Sequence, residues 1–231
     1  KIKKITIFVK DFRLKIILKR NNMAKISNKS QQMPASAIRK LVPFADAAKE
    51  EGVKVYHLNV GQPDIKSPEC ALEAVRKNTL DHVSYSNSAG LIELRRGLVE
   101  KYYRKIGIDI DVRELIVTVA GSEGVNLALQ ITCDEGDEVI VLEPFYTNYN
   151  TFAFMNGITM KAVHTDIREG FKVPDVAEFE KLITPRTKAI LISNPGNPTG
   201  TLYSKENMLA LGEVARKHDL SLISAEVHRE F

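Results

Sequence analysis

Five short runs rich in β-branched and aliphatic residues, ELIVTV, EVIVL, ITMKAV, KAILIS and LSLIS, lie beyond residue 113, separated by segments of helical length. Parallel strands need crossovers of about a dozen residues or more, whereas antiparallel ones turn tightly. The spacing therefore predicts an α/β fold: a mostly parallel sheet with helices on both faces. Continuous apolar stretches such as IVTV and AILI suit strands covered on both sides, although periodicity alone does not separate them from buried helix. A further strand is expected at 53–58, running into the turn-rich GQPD.

Helices are expected at 37–51, stopped by Gly52, and at 90–106, where Leu91, Leu94, Leu98 and Tyr102 share a stripe and Gly107 stops the helix. A last helix is expected at 205–218, with Ser204 as N-cap and Glu206 in the first turn. In sheets of this kind ligand-binding loops sit at the carboxyl ends of the strands. Candidate loops there are AGSEG, EPFYTNY and SNPGNPTG, with a fourth position at AEVHREF.

Charge narrows the partners. The net charge of +4 is dominated by residues 1–22, which hold eight Lys or Arg against Asp11 and leave 25 basic and 28 acidic residues for 23–231. A nucleic-acid or membrane partner would rest on that basic leader alone, and neither is expected. The leader begins with Lys, and MAKIS at Met23 reads as an ordinary start, so residues 1–22 are expected to be translated upstream sequence. Charges interrupt its apolar stretches, so it has no signal-peptide core. Cys70 and Cys133 lack CxxC spacing and fit a reducing cytoplasm. The histidines, at 57, 82, 164, 218 and 228, never fall at metal-ligand spacing, and no metal is expected.

Each loop has a plain reading beside its functional one. AGSEG places small residues at a strand-to-helix junction, where free N–H groups and the helix dipole favour an anion, yet a tight packing turn explains it equally well. No GxxxxGK[ST] loop or GxGxxG fingerprint occurs, which counts against a nucleotide-binding module. The aromatics of EPFYTNY suit either core packing or a flat ligand. SNPGNPTG is more demanding: Pro195 and Pro198 lack N–H donors and hold Asn194 and Asn197 extended, so the strand stops and the amides turn from the ladder.

Taken in order, NVGQPD at 59–64, YSNSAG at 85–90, GSEG at 121–124, EPFY at 143–146 and SNPGNPTG at 193–200 resemble the class I aminotransferases, fold type I pyridoxal phosphate enzymes, and most closely the bacterial aspartate aminotransferase-like members. The resemblance covers nearly all of the chain after Met23. It implies a 23–60 segment made of an N-terminal arm and part of a small domain, then an incomplete cofactor-binding large domain at 61–231. It implies pyridoxal 5'-phosphate as cofactor, an amino acid and a 2-oxo acid as substrates, and a cytoplasmic homodimer. Ser122 and Glu123 would hold the phosphate, Tyr85 would help across the dimer interface, and Tyr146 would stack on the ring. Asn197 would reach the phenolic oxygen and border the substrate, and Gly61 would meet the substrate carboxylate. Cis bonds are implied before Pro144 and Pro198.

Two positions depart from the family pattern. Ala225 stands where an Asp pairs with the ring nitrogen, and His228 where a Tyr reaches the phenolic oxygen. The family's Schiff-base Lys and substrate-gripping Arg would follow Phe231, so no catalytic residue is assigned and the chain alone is expected to be inactive. The family strand matching 115–119 would also lack its neighbours, leaving an aggregation-prone edge. An inactive fragment or pseudoenzyme that binds a related subunit, or a β-lyase of the same fold, is the alternative.

Overall fold

The computed structural model describes residues 5–9, 12–16, 25–36 and 38–230. The expected start at Met23 and the first residue of the expected helix, Ala37, lie outside them. The chain divides into two compact units, Lys1–Ala35 and Ser36–Phe231. In the first, β1 (Ile5–Val9) pairs antiparallel with β2 (Phe12–Ile16), and α1 (Asn28–Gln32) is capped by Ser27, whose hydroxyl accepts from the Ser30 amide at 3.0 Å.

The second unit carries the candidate loops. A 3-10 turn (Arg39–Leu41) leads into α2 (Val42–Glu50), followed by α3 (Glu69–Arg76) and α4 (Ile92–Lys101). The expected 90–106 helix thus starts later and tightens to a 3-10 turn (Tyr103–Ile106) before Gly107. Then come α5 (Ala120–Thr132), β3 (Glu138–Glu143), α6 (Asn148–Asn156), β4 (Thr159–His164), α7 (Val176–Glu180), β5 (Thr187–Ser193), α8 (Lys205–Lys217) and β6 (Ser221–Ala225). The α8 cap is a full capping box, with the side chains of Ser204 and Asn207 each accepting from the other's backbone amide.

Strands β3 to β6 form one parallel sheet in the order β4-β3-β5-β6. Side chains alternate across it as strand geometry requires. Val139, Val141, Ala189 and Leu191 pack on one face with Leu129 of α5 and Tyr149 and Ala153 of α6. Ile140, Ile190 and Ile192 pack on the other with Phe179 of α7 and Leu211 and Val214 of α8. Both faces are covered, which explains the unbroken apolar runs. From β3 the chain steps to β4 on one side, then crosses to β5 on the other. This reversal opens a crevice at the carboxyl ends of β3 and β5, where sheets of this type receive ligands.

Two expected strands are absent among the described residues. Residues 115–119 and 53–58 form no strand ladder. A strand exists only through its neighbours' hydrogen bonds. Within the first stretch the Val117 amide bonds the Ala89 carbonyl at 3.0 Å, while Ile116 and Val119 remain 63% and 83% exposed.

That single bond has a steric partner at Gly90, the last residue of YSNSAG. Gly90 adopts φ +95°, and a Cβ there would lie 2.6 Å from Val117 Cβ. Arg95 fixes the turn, donating to the Gly90 carbonyl at 3.3 Å and to the Val112 carbonyl at 3.0 Å. Gly90→Ala should therefore lower the unfolding free energy by about 1–3 kcal/mol in chemical denaturation, through both backbone strain and overlap. An unchanged midpoint would show that Val117 moves aside freely.

Candidate functional site

The first side of the site is the start of α5. Ala120, the first helical residue, holds φ +60°, and the carboxylate of Glu123 accepts from the Val119 amide. The next backbone amides of the first turn have no partner inside the helix, and they carry the positive end of its dipole. Glycine at 121 permits a close approach, since a Cβ there would sit 3.2 Å from Val227 Cγ2 in the segment after β6.

The second side follows β3. The Glu143–Pro144 bond is cis, and α6 begins at Asn148, whose side-chain amide donates to the Tyr146 phenol at 2.7 Å. Tyr146 meets Tyr149 edge to face at a 5.5 Å centroid separation, and Phe145 stacks on Tyr149 at 6.2 Å. Three aromatic rings thus brace one another, and Tyr146 takes its position from them. The Thr147 hydroxyl is buried without a hydrogen-bond partner.

The third side is the loop after β5. Asn194–Pro195 and Asn197–Pro198 are both cis, one more than the resemblance implies for this loop. Asn194 is structural: its amide extends the ladder to the Ala225 carbonyl at 3.1 Å, and its side-chain oxygen accepts from the Tyr203 amide at 3.2 Å. The Gly196 amide donates to the Thr201 carbonyl at 2.8 Å, and the Thr201 hydroxyl donates to the Phe171 carbonyl at 3.2 Å. None of these bonds uses the Asn197 carboxamide, which remains available to a ligand. Burial pushes the Tyr203 phenol far above its ordinary value, so it stays protonated.

The end of β6 closes the site. A cavity of about 240 Å³ is lined by Ser122, Tyr146, Asn197, Ala225 and His228, together with Tyr149, Ser193 and others. Five of the residues expected from the sequence thus meet around one space. Glu123 is not among the lining residues, because its carboxylate folds back onto Val119. A larger cavity of about 880 Å³ shares Tyr146, Asn197 and His228 and adds Gly61 and Thr147. The two residues expected to meet substrate, Gly61 and Asn197, therefore line the same space. Tyr85 lines neither cavity and is fully exposed.

A phosphorylated pyridine ring can be tested against this lining. The α5 amides suit the phosphate, Tyr146 suits the ring face, and Asn197 and His228 offer hydrogen bonds to a phenolic oxygen. The nitrogen end differs, because among the described residues no carboxylate lines the cavity and Ala225 supplies only a methyl group. The residues thus fit the group in shape and in its phosphate and oxygen substituents, with one unpaired position. Sequence reasoning missed Tyr149 and Ser193. Each lies within a motif, Tyr149 in EPFYTNY and Ser193 in SNPGNPTG, but nothing in the sequence marks either above its neighbours.

Residues 53–231 match the family model described as aminotransferase class I and II. Over 207 residues the chain is 38% identical to the aspartate/prephenate aminotransferase of Thermus thermophilus, covering 89% of this chain and 54% of that protein. The structure of a single mutant of Thermus thermophilus aspartate aminotransferase matches with a TM-score of 0.80 at 38% identity, over 87% of this chain and 53% of that one. An alanine aminotransferase from Pyrococcus furiosus matches with a TM-score of 0.78 at 34% identity, over 87% of this chain and 51% of that one. The chain spans about half the length of the curated relatives it matches. With its motifs, its parallel sheet and most of its length in agreement, this chain belongs to the class I and II aminotransferase family.

Proposed function

We propose that residues 61–231 are part of a pyridoxal 5'-phosphate-binding domain in a cytoplasmic, homodimeric enzyme that moves an amino group from an aspartate-like amino acid to a 2-oxo acid. The observation that carries this reading is the meeting of Ser122, Tyr146, Asn197 and His228 around one cavity at the strand ends. Amides at Ser122 and Glu123 bind the phosphate, and Tyr146 covers the ring. Asn197 and His228 hold the phenolic oxygen, while the Gly61 backbone receives the substrate carboxylate in the adjoining cavity. When bound, the cofactor supplies the carbonyl that takes up the amino group and the ring that draws electrons from the reacting carbon. The full exposure of Tyr85 supports its use by a second subunit.

Ala225 favours a second reading, in which the chain binds the cofactor without efficient turnover. A preorganised charge partner is worth on the order of 10²- to 10³-fold in rate where it has been removed elsewhere.

Pyridoxamine 5'-phosphate tests the binding step without interference, because it has no aldehyde with which to react with surface lysines. Its fluorescence should change saturably on titration with the chain. Asn197→Ala should weaken the affinity roughly fivefold, the value of one ordinary hydrogen bond. A non-saturable response from the unaltered chain would defeat the cofactor reading. Amino-group transfer from aspartate to 2-oxoglutarate, assayed on the full-length polypeptide, tests the reaction, and its absence there would favour the binding-only reading.

A further inference from the structure

The unpaired nitrogen end of the cavity has its own polar groups. In the parallel register of β5 and β6, Ser193 is the partner of Ala225, and both line the cavity together with Tyr149. The Ala225 side chain offers neither donor nor acceptor, but the hydroxyls beside it offer both. We infer that the Ser193–Tyr149 hydroxyl pair donates a hydrogen bond to the ring nitrogen of a bound pyridine-type ligand and holds that nitrogen uncharged. This deepens the cofactor reading above and rests on it.

Proton counting supports the assignment. Ser193 donates to the Pro195 carbonyl at 3.0 Å, which uses one of the pair's two protons. The other can turn into the cavity. Burial raises the Tyr149 phenol above its ordinary value, with the Ser193 hydroxyl offsetting part of that rise, so Tyr149 remains a donor at neutral pH.

Charge supports it too. The titratable side chains in the lining are Tyr146, Tyr149 and His228, and none is a carboxylate. Acids on the surrounding elements are engaged elsewhere. Glu123 accepts from Val119, Glu143 lies 3.8 Å from His164, and Glu226 accepts from Ser224 at 3.1 Å and from Arg229 at 3.0 Å. A protonated ring nitrogen would be a partly enclosed cation with no protein carboxylate beside it, and such surroundings favour the neutral form. A neutral nitrogen is an acceptor, which a hydroxyl satisfies.

The experiment is nuclear magnetic resonance of pyridoxamine 5'-phosphate with an isotopically labelled ring nitrogen, bound to the full chain and titrated from mildly alkaline to mildly acid pH. The bound nitrogen should keep its unprotonated shift throughout. With Ala225→Asp it should move to the protonated value over the same range. Tyr149→Phe, which removes the proton left free to face the ligand, should weaken binding roughly fivefold. Circular dichroism identifies any variant that misfolds, and the unaltered chain's nitrogen shift decides the question without one. A protonated nitrogen in the unaltered complex, or unchanged affinity in Tyr149→Phe, overturns the inference while leaving the cofactor reading intact. Absence of saturable binding by the unaltered chain removes both.

Discussion

Replacing Phe179 with alanine should lower the unfolding free energy by about 3–5 kcal/mol, measured by urea denaturation with an unchanged slope. Phe179 is 0% exposed and is the one buried residue of α7, a helix of five residues. A helix that short does not persist on its own hydrogen bonds. Its cap, in which Asp175 accepts from the Ala177 amide at 2.9 Å, contributes only about 1 kcal/mol. The ring fixes α7 against Ile140, Ile190 and Leu211. Removing it therefore leaves a void in the layer on that face of the sheet. Phe179→Leu, which keeps most of the volume, should lose far less. If the alanine variant loses under about 1 kcal/mol, then α7 settles into the gap and the packing is looser than it looks.

Glu138→Gln should cost about 2–3 kcal/mol at neutral pH, with a cost that shrinks in acid. The carboxylate opens β3 at 2% exposure. It accepts from the Thr184 hydroxyl at 2.7 Å and from Arg186 at 2.7 Å, with Lys161 at 4.0 Å. The Thr184 hydrogen bond, then that of Arg186, holds its pKa below the ordinary carboxylate value. The unfolded chain therefore binds this proton more readily than the folded one. The stabilisation is complete above the unfolded pKa and is lost as pH falls through the lower folded value. Unfolding curves of the two proteins, well separated at neutral pH, should approach each other below the usual carboxylate range. A constant gap down to strong acid would show that the substituted glutamine fails for reasons of shape and not of charge.

The sheet was legible because its strands are covered on both faces. EVIVL, ITMKAV, KAILIS and LSLIS match β3 to β6 to within a residue or so at each end; the central β3 and β5 are apolar on both alternations, whereas the edge strands β4 and β6 carry polar residues such as Lys161 and Ser221. The stretch ELIVTV has the same composition but forms no strand, because composition states a preference while a ladder requires a neighbour. At the site, the loops could be read because glycine, proline and asparagine mark chain reversals directly. Ser193 could not, since its importance comes from lying opposite Ala225. That relation belongs to the register of β5 against β6, which exists only after the α8 crossover has brought the chain back to the sheet. Tyr149 was hidden differently: it is a buried core residue that also lines the cavity.

The order β4-β3-β5-β6 separates what keeps the molecule folded from the residues proposed to meet a ligand. Strand interiors such as Val139 to Val141 and Ala189 to Ile192 hold the sheet together, while Tyr146, Asn197 and His228 lie past the strand ends. Ala225 sits at the last rung of the sheet, 8% exposed, where the methyl group belongs to the core as much as to the cavity. Folding therefore bears on that position as well, since a carboxylate held there without a ligand would be a nearly buried charge. Thermal melting would therefore not treat a carboxylate and a methyl group at that rung alike.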